Sequence, residues 1–358
     1  MLARTVHARR GPIRLADRAR TGIVGTWFSD WCLRFMISTR SCPDSLQRHQ
    51  FAALEPGPRL LVLGAVHGNE TCGTRAIERL LPELTGGGLA LRRGLLSLVP
   101  VSNPLAYRLH TREGERNLNR NMGLHPYPAN VEDRISNVLC PWIAEHDVIL
   151  DLHSFHTGGA PFAMLGPENN DGDIEPFAQA VDEQRMALHL GARRIVEGWM
   201  STYARGVARR RAAGRVTAPD LLDRNYGMGT TEYGRTAGCY GITLECGQHD
   251  DPAAPDVAYH AIRQVLALLG MADIPLAPPP PDIELIRLVD VIDMEDAGAS
   301  FVREWDSFDR VRRGETIGHR ADGTVVTAPD DGYIVFPNPG ALPGNEWFYF
   351  GVASTRQL

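Results

Sequence analysis

The chain has 358 residues, 43% of them hydrophobic, and a net charge of −6. Its isoelectric point near 6.1 removes any global attraction to nucleic acid or to an anionic membrane surface. Apart from histidine every basic residue is arginine; with no lysine, Schiff-base chemistry, a pyridoxal lysine and a phosphate-loop lysine are all excluded.

Six cysteines, Cys32, Cys42, Cys72, Cys140, Cys239 and Cys246, are scattered without a C-x-x-C pair. That argues against a disulfide framework or a cysteine-type zinc site and fits a reducing cytoplasm. Residues 1–48 hold nine arginines and no clean apolar segment, since Ser29, Asp30 and Arg34 interrupt the only candidate. They are expected to be a disordered N-terminal extension, or to lie upstream of a true start at Met36, rather than a secretory signal. No run approaches the roughly 20 apolar residues needed to span a bilayer, so no membrane partner is expected.

Leu60-Leu61-Val62-Leu63 is a short apolar run of the kind that fills a strand buried on both faces. It leads through Gly64-Ala65-Val66 to His67-Gly68-Asn69-Glu70, an H-x-x-E step that lets an imidazole and a carboxylate converge on one cation. The amphipathic spacing of Ala76, Ile77, Leu80 and Leu81 predicts a helix over 71–81, with Pro82 beyond it. Gly86-Gly87-Gly88 precedes a strand-like Leu95–Val99 and is therefore a loop rather than a phosphate cradle. The polar stretch 111–121, with its Asn117-Leu118-Asn119-Arg120 core, has the character of a functional loop. A predicted helix over 130–143 feeds a second apolar run, 148–152, which ends in His153. A third, Ile242-Thr243-Leu244, ends in Glu245. Asp151 shares a strand face with His153 and is a candidate acceptor for an imidazole N–H.

A further helix is expected from about Pro176, and Arg205 to Arg211 reads as a solvated basic helix face. Another helix follows Asp251-Pro252 and is capped by Gly270. Pro275 to Asp282 is a stiff linker and the clearest domain boundary. Beyond it, 283–292 is β-type, and the Asp322-Gly323 and Asp331-Gly332 dipeptides predict two hairpin turns.

The ordered set HGNE, NLNR, LDLHS and LECG resembles the succinylglutamate desuccinylase and aspartoacylase family of zinc carboxypeptidase-like hydrolases. The resemblance implies an α/β fold, a zinc-carboxypeptidase-like mixed sheet flanked by helices, followed by a small all-β C-terminal domain. The resulting organisation is an extension at 1–48, a hydrolase domain at 49–274, a linker at 275–282 and a β domain at 283–358. His67, Glu70 and His153 would hold one Zn2+ per chain with an open position, as in catalytic zinc sites. The family's catalytic glutamate falls on Glu245 as general base. Its carbonyl-polarising arginine falls on Arg112, and its substrate-carboxylate grip on Asn119 and Arg120, with Arg235 as a further substrate-binding arginine. The stretch 199–229 is longer than the family's usual. The implied partner is a small carboxylate-bearing N-acyl amino acid, cleaved at its amide. Trimming of peptide C-termini and an inactive ligand-binding relative are the alternatives, and self-association is left open.

Overall fold

A computed structural model describes residues 45–212, 214 and 222–358; the expectations for the N-terminal extension, and for part of the 199–229 stretch, lie outside them. The chain runs through β1 (His49–Ala52), β2 (Glu55–Gly64), α1 (Cys72–Thr85), β3 (Arg93–Val99), α2 (Pro104–Leu109), α3 (Val131–Ala144), β4 (Val148–Phe155) and β5 (Phe162–Met164). Next come α4 (Ala180–Leu188), β6 (Arg194–Glu197), α5 (Trp199–Ala212), α6 (Thr230–Thr236), β7 (Tyr240–Gln248) and α7 (Ala254–Leu268). The C-terminal part is β8 (Glu284–Asp293), β9 (Ser300–Phe301), β10 (Arg310–Val311), β11 (Thr316–His319), β12 (Val325–Thr327), β13 (Gly332–Val335) and β14 (Glu346–Ala353).

An eleven-stranded mixed sheet in the order β1-β3-β2-β4-β7-β5-β6-β8-β14-β13-β10 carries the molecule. The three apolar runs form its middle, with β2, β4 and β7 parallel and adjacent. Leu60–Leu63 are solvent-free and β4 is buried throughout, as central strands covered on both faces must be. Leu60, Val62, Leu150 and Leu152 pack on one face with Ile77 and Leu80 of α1 and Ile262 and Val265 of α7. Parallel pairing aligns the strand ends, so whatever follows β2, β4 and β7 collects at one edge.

Several local expectations need correction. Helix α1 runs through Pro82 to Thr85, because a proline one turn from a C-terminus removes little of the hydrogen-bond ladder. Asp331-Gly332 is not a hairpin turn: Gly332 opens β13, which pairs with β10 and β14. Asp322-Gly323 does link the antiparallel β11 and β12. The basic face of α5 is exposed at Arg205, Arg209 and Arg211, but Arg210 is buried and the face also reaches β8. Arg205 donates to the Val289 and Leu288 carbonyls, and Arg209 and Arg210 pair with Asp290 and Asp293 of β8. Strand β8 pairs with β6 on one side and β14 on the other, so the sheet continues across the 275–282 segment.

Candidate active site

The first site element begins where β2 stops. Ala65 takes a left-handed backbone (φ 45°), and the Gly64 and Ala65 carbonyls are held by the amides of Ser102 and Asn103. A non-glycine residue in that region stores strain, a feature that clusters at functional sites. Gly68 then lies so close to α2 that any Cβ would overlap the Ala106 carbonyl; only glycine allows the tight HGNE turn there. The second and third elements come from strand register. His153 of β4 and Glu245 of β7 are direct partners on adjacent parallel strands and so point to the same side.

The donor atoms of His67, Glu70 and His153 lie within 4.8 Å of one another, and all three residues are buried. His153 Nδ1 is 2.8 Å from Glu70 Oε2. His67 Nδ1 lies 2.9 Å from Glu70 Oε1 but off the hydrogen-bond line, leaving a buried nitrogen without a partner. The opposite nitrogen of each ring is engaged. His67 Nε2 is 3.0 Å from Asn117 Oδ1, and His153 Nε2 is 2.8 Å from Asp151 Oδ2. In a neutral ring, an Nε2–H that donates outward leaves the Nδ1 lone pair facing the centre, the arrangement in which an outer acceptor fixes a ligand's tautomer. Two imidazole Nδ1 atoms, one of them orphaned, and a carboxylate fit a zinc-type cation.

Charge balance is severe in this dry volume. Burial, aided by Arg112, lowers His67 to about 4. Burial also opposes the charge on Glu70, but the two imidazoles hold its carboxyl well below the ordinary range. His153, flanked by Asp151 and Glu70, is raised despite its burial. Glu245 has no such cation in contact. Burial, reinforced by Glu70, pushes it up to about 8, and its Oε2 has no hydrogen-bond partner among the described residues.

The loop 111–121 is fastened to this centre. Asn117 Oδ1, which holds His67, also accepts the Asn119 amide. Asn119 Oδ1 accepts the Thr230 amide at 2.9 Å, while Thr230 Oγ1 donates to Asp151 Oδ2. A Cβ at Gly229 would overlap Asn119 Oδ1, so glycine at the start of α6 permits that approach. Arg112 Nη1 donates to Glu70 Oε1 at 2.8 Å from a half-exposed side chain. Arg120 is buried, with Nε on the Tyr203 hydroxyl at 3.1 Å, Nη1 on the Asn119 carbonyl at 2.9 Å, and the guanidinium against Trp199 and Tyr203.

Arg235 requires a correction. Its guanidinium is buried among Glu183, Glu175 and Glu232 and also donates to the Gly241 carbonyl, so every N–H is used. Spacing relative to Glu245 cannot register that three carboxylates from α4, α6 and the loop before α4 surround it. Arg235→Met is expected to cost roughly 3–5 kcal/mol, because it strands buried carboxylates without their cation. Urea unfolding would measure the loss. A raised KM with unchanged stability would instead return Arg235 to the substrate site.

Sequence reasoning overlooked Asn117, Thr230, His249, Tyr203 and Glu346. Asn117 had a signal, being two residues before Asn119 on the same motif. His249 Nδ1 lies 2.9 Å from Ser154 Oγ, next to the His153 ligand, and no spacing rule announces it.

A pair of ring nitrogens and a carboxylate, backed by a buried high-pKa glutamate at the edge of a mixed α/β sheet, is the outline of a hydrolase centre. The profile of the succinylglutamate desuccinylase/aspartoacylase catalytic domain matches residues 56–270, and the chain belongs to that family, whose members hydrolyse amide bonds. Solved structures agree on the fold. A succinylglutamate desuccinylase/aspartoacylase from Rhodobacter sphaeroides superposes with TM-score 0.65 at 17% identity, covering 86% of this chain and 90% of that one. The product-bound ectoine utilization protein EutE (DoeB) from Ruegeria pomeroyi gives 0.64 at 20% identity, covering 86% and 88%. An aspartoacylase family protein from Mesorhizobium loti gives 0.60 at 20% identity, covering 87% and 90%. No curated protein sequence matches the chain significantly. No helix among the described residues is long and apolar enough to cross a membrane.

Proposed function

We propose that the chain is a zinc-dependent amidohydrolase releasing a small acyl group, of the acetyl or succinyl kind, from an N-acyl amino acid. One zinc would be held per chain by His67 Nδ1, Glu70 and His153 Nδ1. The observation that carries this reading is the convergence of those donors next to Glu245, a buried carboxyl at about 8. Bound there, the metal would supply Lewis acidity and an acidified water.

The remaining work falls to the chain's own residues. Glu245, as general base, takes a proton from the attacking water and delivers it to the departing amine nitrogen; a carboxyl poised near neutral pH suits both transfers. Arg112, on the mobile-length side chain nearest Glu70, donates to the oxygen on which negative charge develops. Asn119 and Arg120 hold the substrate carboxylate and orient its amide, a planar guanidinium being matched to that group. The strand-rich segment 283–358 extends the carboxypeptidase-like sheet through β8, β14, β13 and β10 and adds a small three-stranded sheet of its own. Four described cysteines are buried free thiols, which supports a reducing, cytoplasmic setting.

Free-amine release from a panel of N-acyl amino acids tests the reading. Hydrolysis is expected for compounds with a free carboxylate, and their neutral amides should be turned over at least about tenfold less efficiently, since a charge-assisted contact is lost. Equal turnover of acid and amide would remove Asn119 and Arg120 from substrate recognition.

A further inference from the structure

The charge environment of Arg120 differs from what loop 111–121 alone suggests. Tyr203, on α5, has no solvent exposure; its hydroxyl accepts from Arg120 Nε and donates to Glu346 Oε1 at the start of β14. Burial opposes ionisation of Glu346, yet Arg120 and the Tyr203 hydroxyl keep its carboxyl below the ordinary range. Glu346 is therefore an anion set against the far side of Arg120, with one phenol between them. On the near side Arg120 Nη2 donates to no group among the described residues. The guanidinium thus offers one free edge, and its charge is answered from behind by Glu346 through the Tyr203 hydroxyl.

Among the described residues, Arg112 and Arg116 of loop 111–121 and Arg235 of α6 are already engaged. Arg116 is spent on Asp133 and on the carbonyls of Asn117 and Arg120. Arg112 is on Glu70. Arg235 is enclosed by Glu183, Glu175 and Glu232. The aromatic wall is tight: Trp199 stacks on Tyr349 at 5.2 Å and donates its Nε1–H to the Gly227 carbonyl, which leaves α5, β14 and the segment before α6 closed around Arg120. A second carboxylate entering there would be desolvated near Glu346 with no partner, a costly arrangement.

We infer that Tyr203 and Glu346 are specificity-determining residues that restrict this site to substrates with a single carboxylate: a neutral acyl group on an amino acid whose side chain is neutral or cationic. This rests on the deacylase reading above and narrows it. Neither residue touches the reacting bond; both act through Arg120, Tyr203 by bridging and Glu346 by charge.

The test compares kcat/KM of the zinc-loaded enzyme for N-acetyl-leucine and N-acetyl-ornithine with that for N-acetyl-aspartate and N-succinyl-glutamate. Wild type is expected to favour the first pair. Glu346→Gln keeps shape and the hydrogen-bond acceptor but removes the charge, so the ratio should move toward the dicarboxylates by about tenfold, the scale of one pair interaction near 1.4 kcal/mol. Tyr203→Phe, which breaks the bridge, should move it the same way. A mere loss of packing would lower all four values together and leave the ratio alone. A ratio unchanged in both variants, or a wild type that prefers the dicarboxylates, overturns the inference while leaving the deacylase reading intact. No turnover of any of the four by wild type overturns the deacylase reading and the inference with it.

Discussion

Glu245→Gln is expected to lower kcat by on the order of 10²-fold or more, while fold, metal content and KM stay close to wild type. Glutamine has the same shape as glutamate, so the packing of β7 against β4 and β5 is undisturbed. The change also removes a charge that burial and Glu70 already oppose, so no stabilising ion pair is lost. What disappears is the ability to accept a proton and return it. Because His67, Glu70 and His153 are untouched, zinc analysis of the variant separates loss of the base from loss of the metal. Turnover within a few-fold of wild type would mean that another group moves the proton, and His249, bonded to Ser154 beside the ligands, would be the next residue to examine.

His153→Ala should abolish metal retention. Purified wild type is expected to carry close to one zinc per chain, measured by elemental analysis after dialysis. The substitution removes one of three donors and frees Asp151, which His153 Nε2 now occupies at 2.8 Å. It leaves His67 and Glu70 to bind alone, a two-donor set too weak to hold zinc against dialysis. Asp151 would then be a buried carboxylate bonded to Thr230 alone among the described residues, so a fall in stability should accompany the metal loss. Full zinc occupancy in this variant would sink the assignment of the site, whatever its activity. Together the two variants divide the proposed machinery, one keeping metal without chemistry and the other losing both.

Much of the centre was legible before any fold was known, and for a local reason. An apolar run bounded by a histidine or glutamate reports a buried strand and the residue at its end, and both signals are carried within about ten residues. His67, Glu70, His153 and Glu245 each end such a run, and parallel pairing of β2, β4 and β7 brings those ends together. Asp151 could likewise be assigned to the face of His153 by two-residue periodicity, and its carboxylate does accept the imidazole N–H.

Arginine was where sequence reasoning failed. A guanidinium has five N–H donors, and nothing within its own segment says which carboxylates will come to it. Arg235 is surrounded by residues from α4, α6 and the loop before α4. Arg210 of α5 is buried on Asp293 of β8, while Arg205 and Arg209 reach β8 from exposed positions. Arg120 meets Tyr203 from α5 and, through it, Glu346 from β14, more than two hundred residues away in the chain. Strand identity, strand-end chemistry and the order of the four motifs were thus determined by the sequence alone, because periodicity and spacing are short-range. The partners of each buried charge were decided only by tertiary structure, because electrostatic pairing depends on which distant segments the packed sheet brings within a few ångströms.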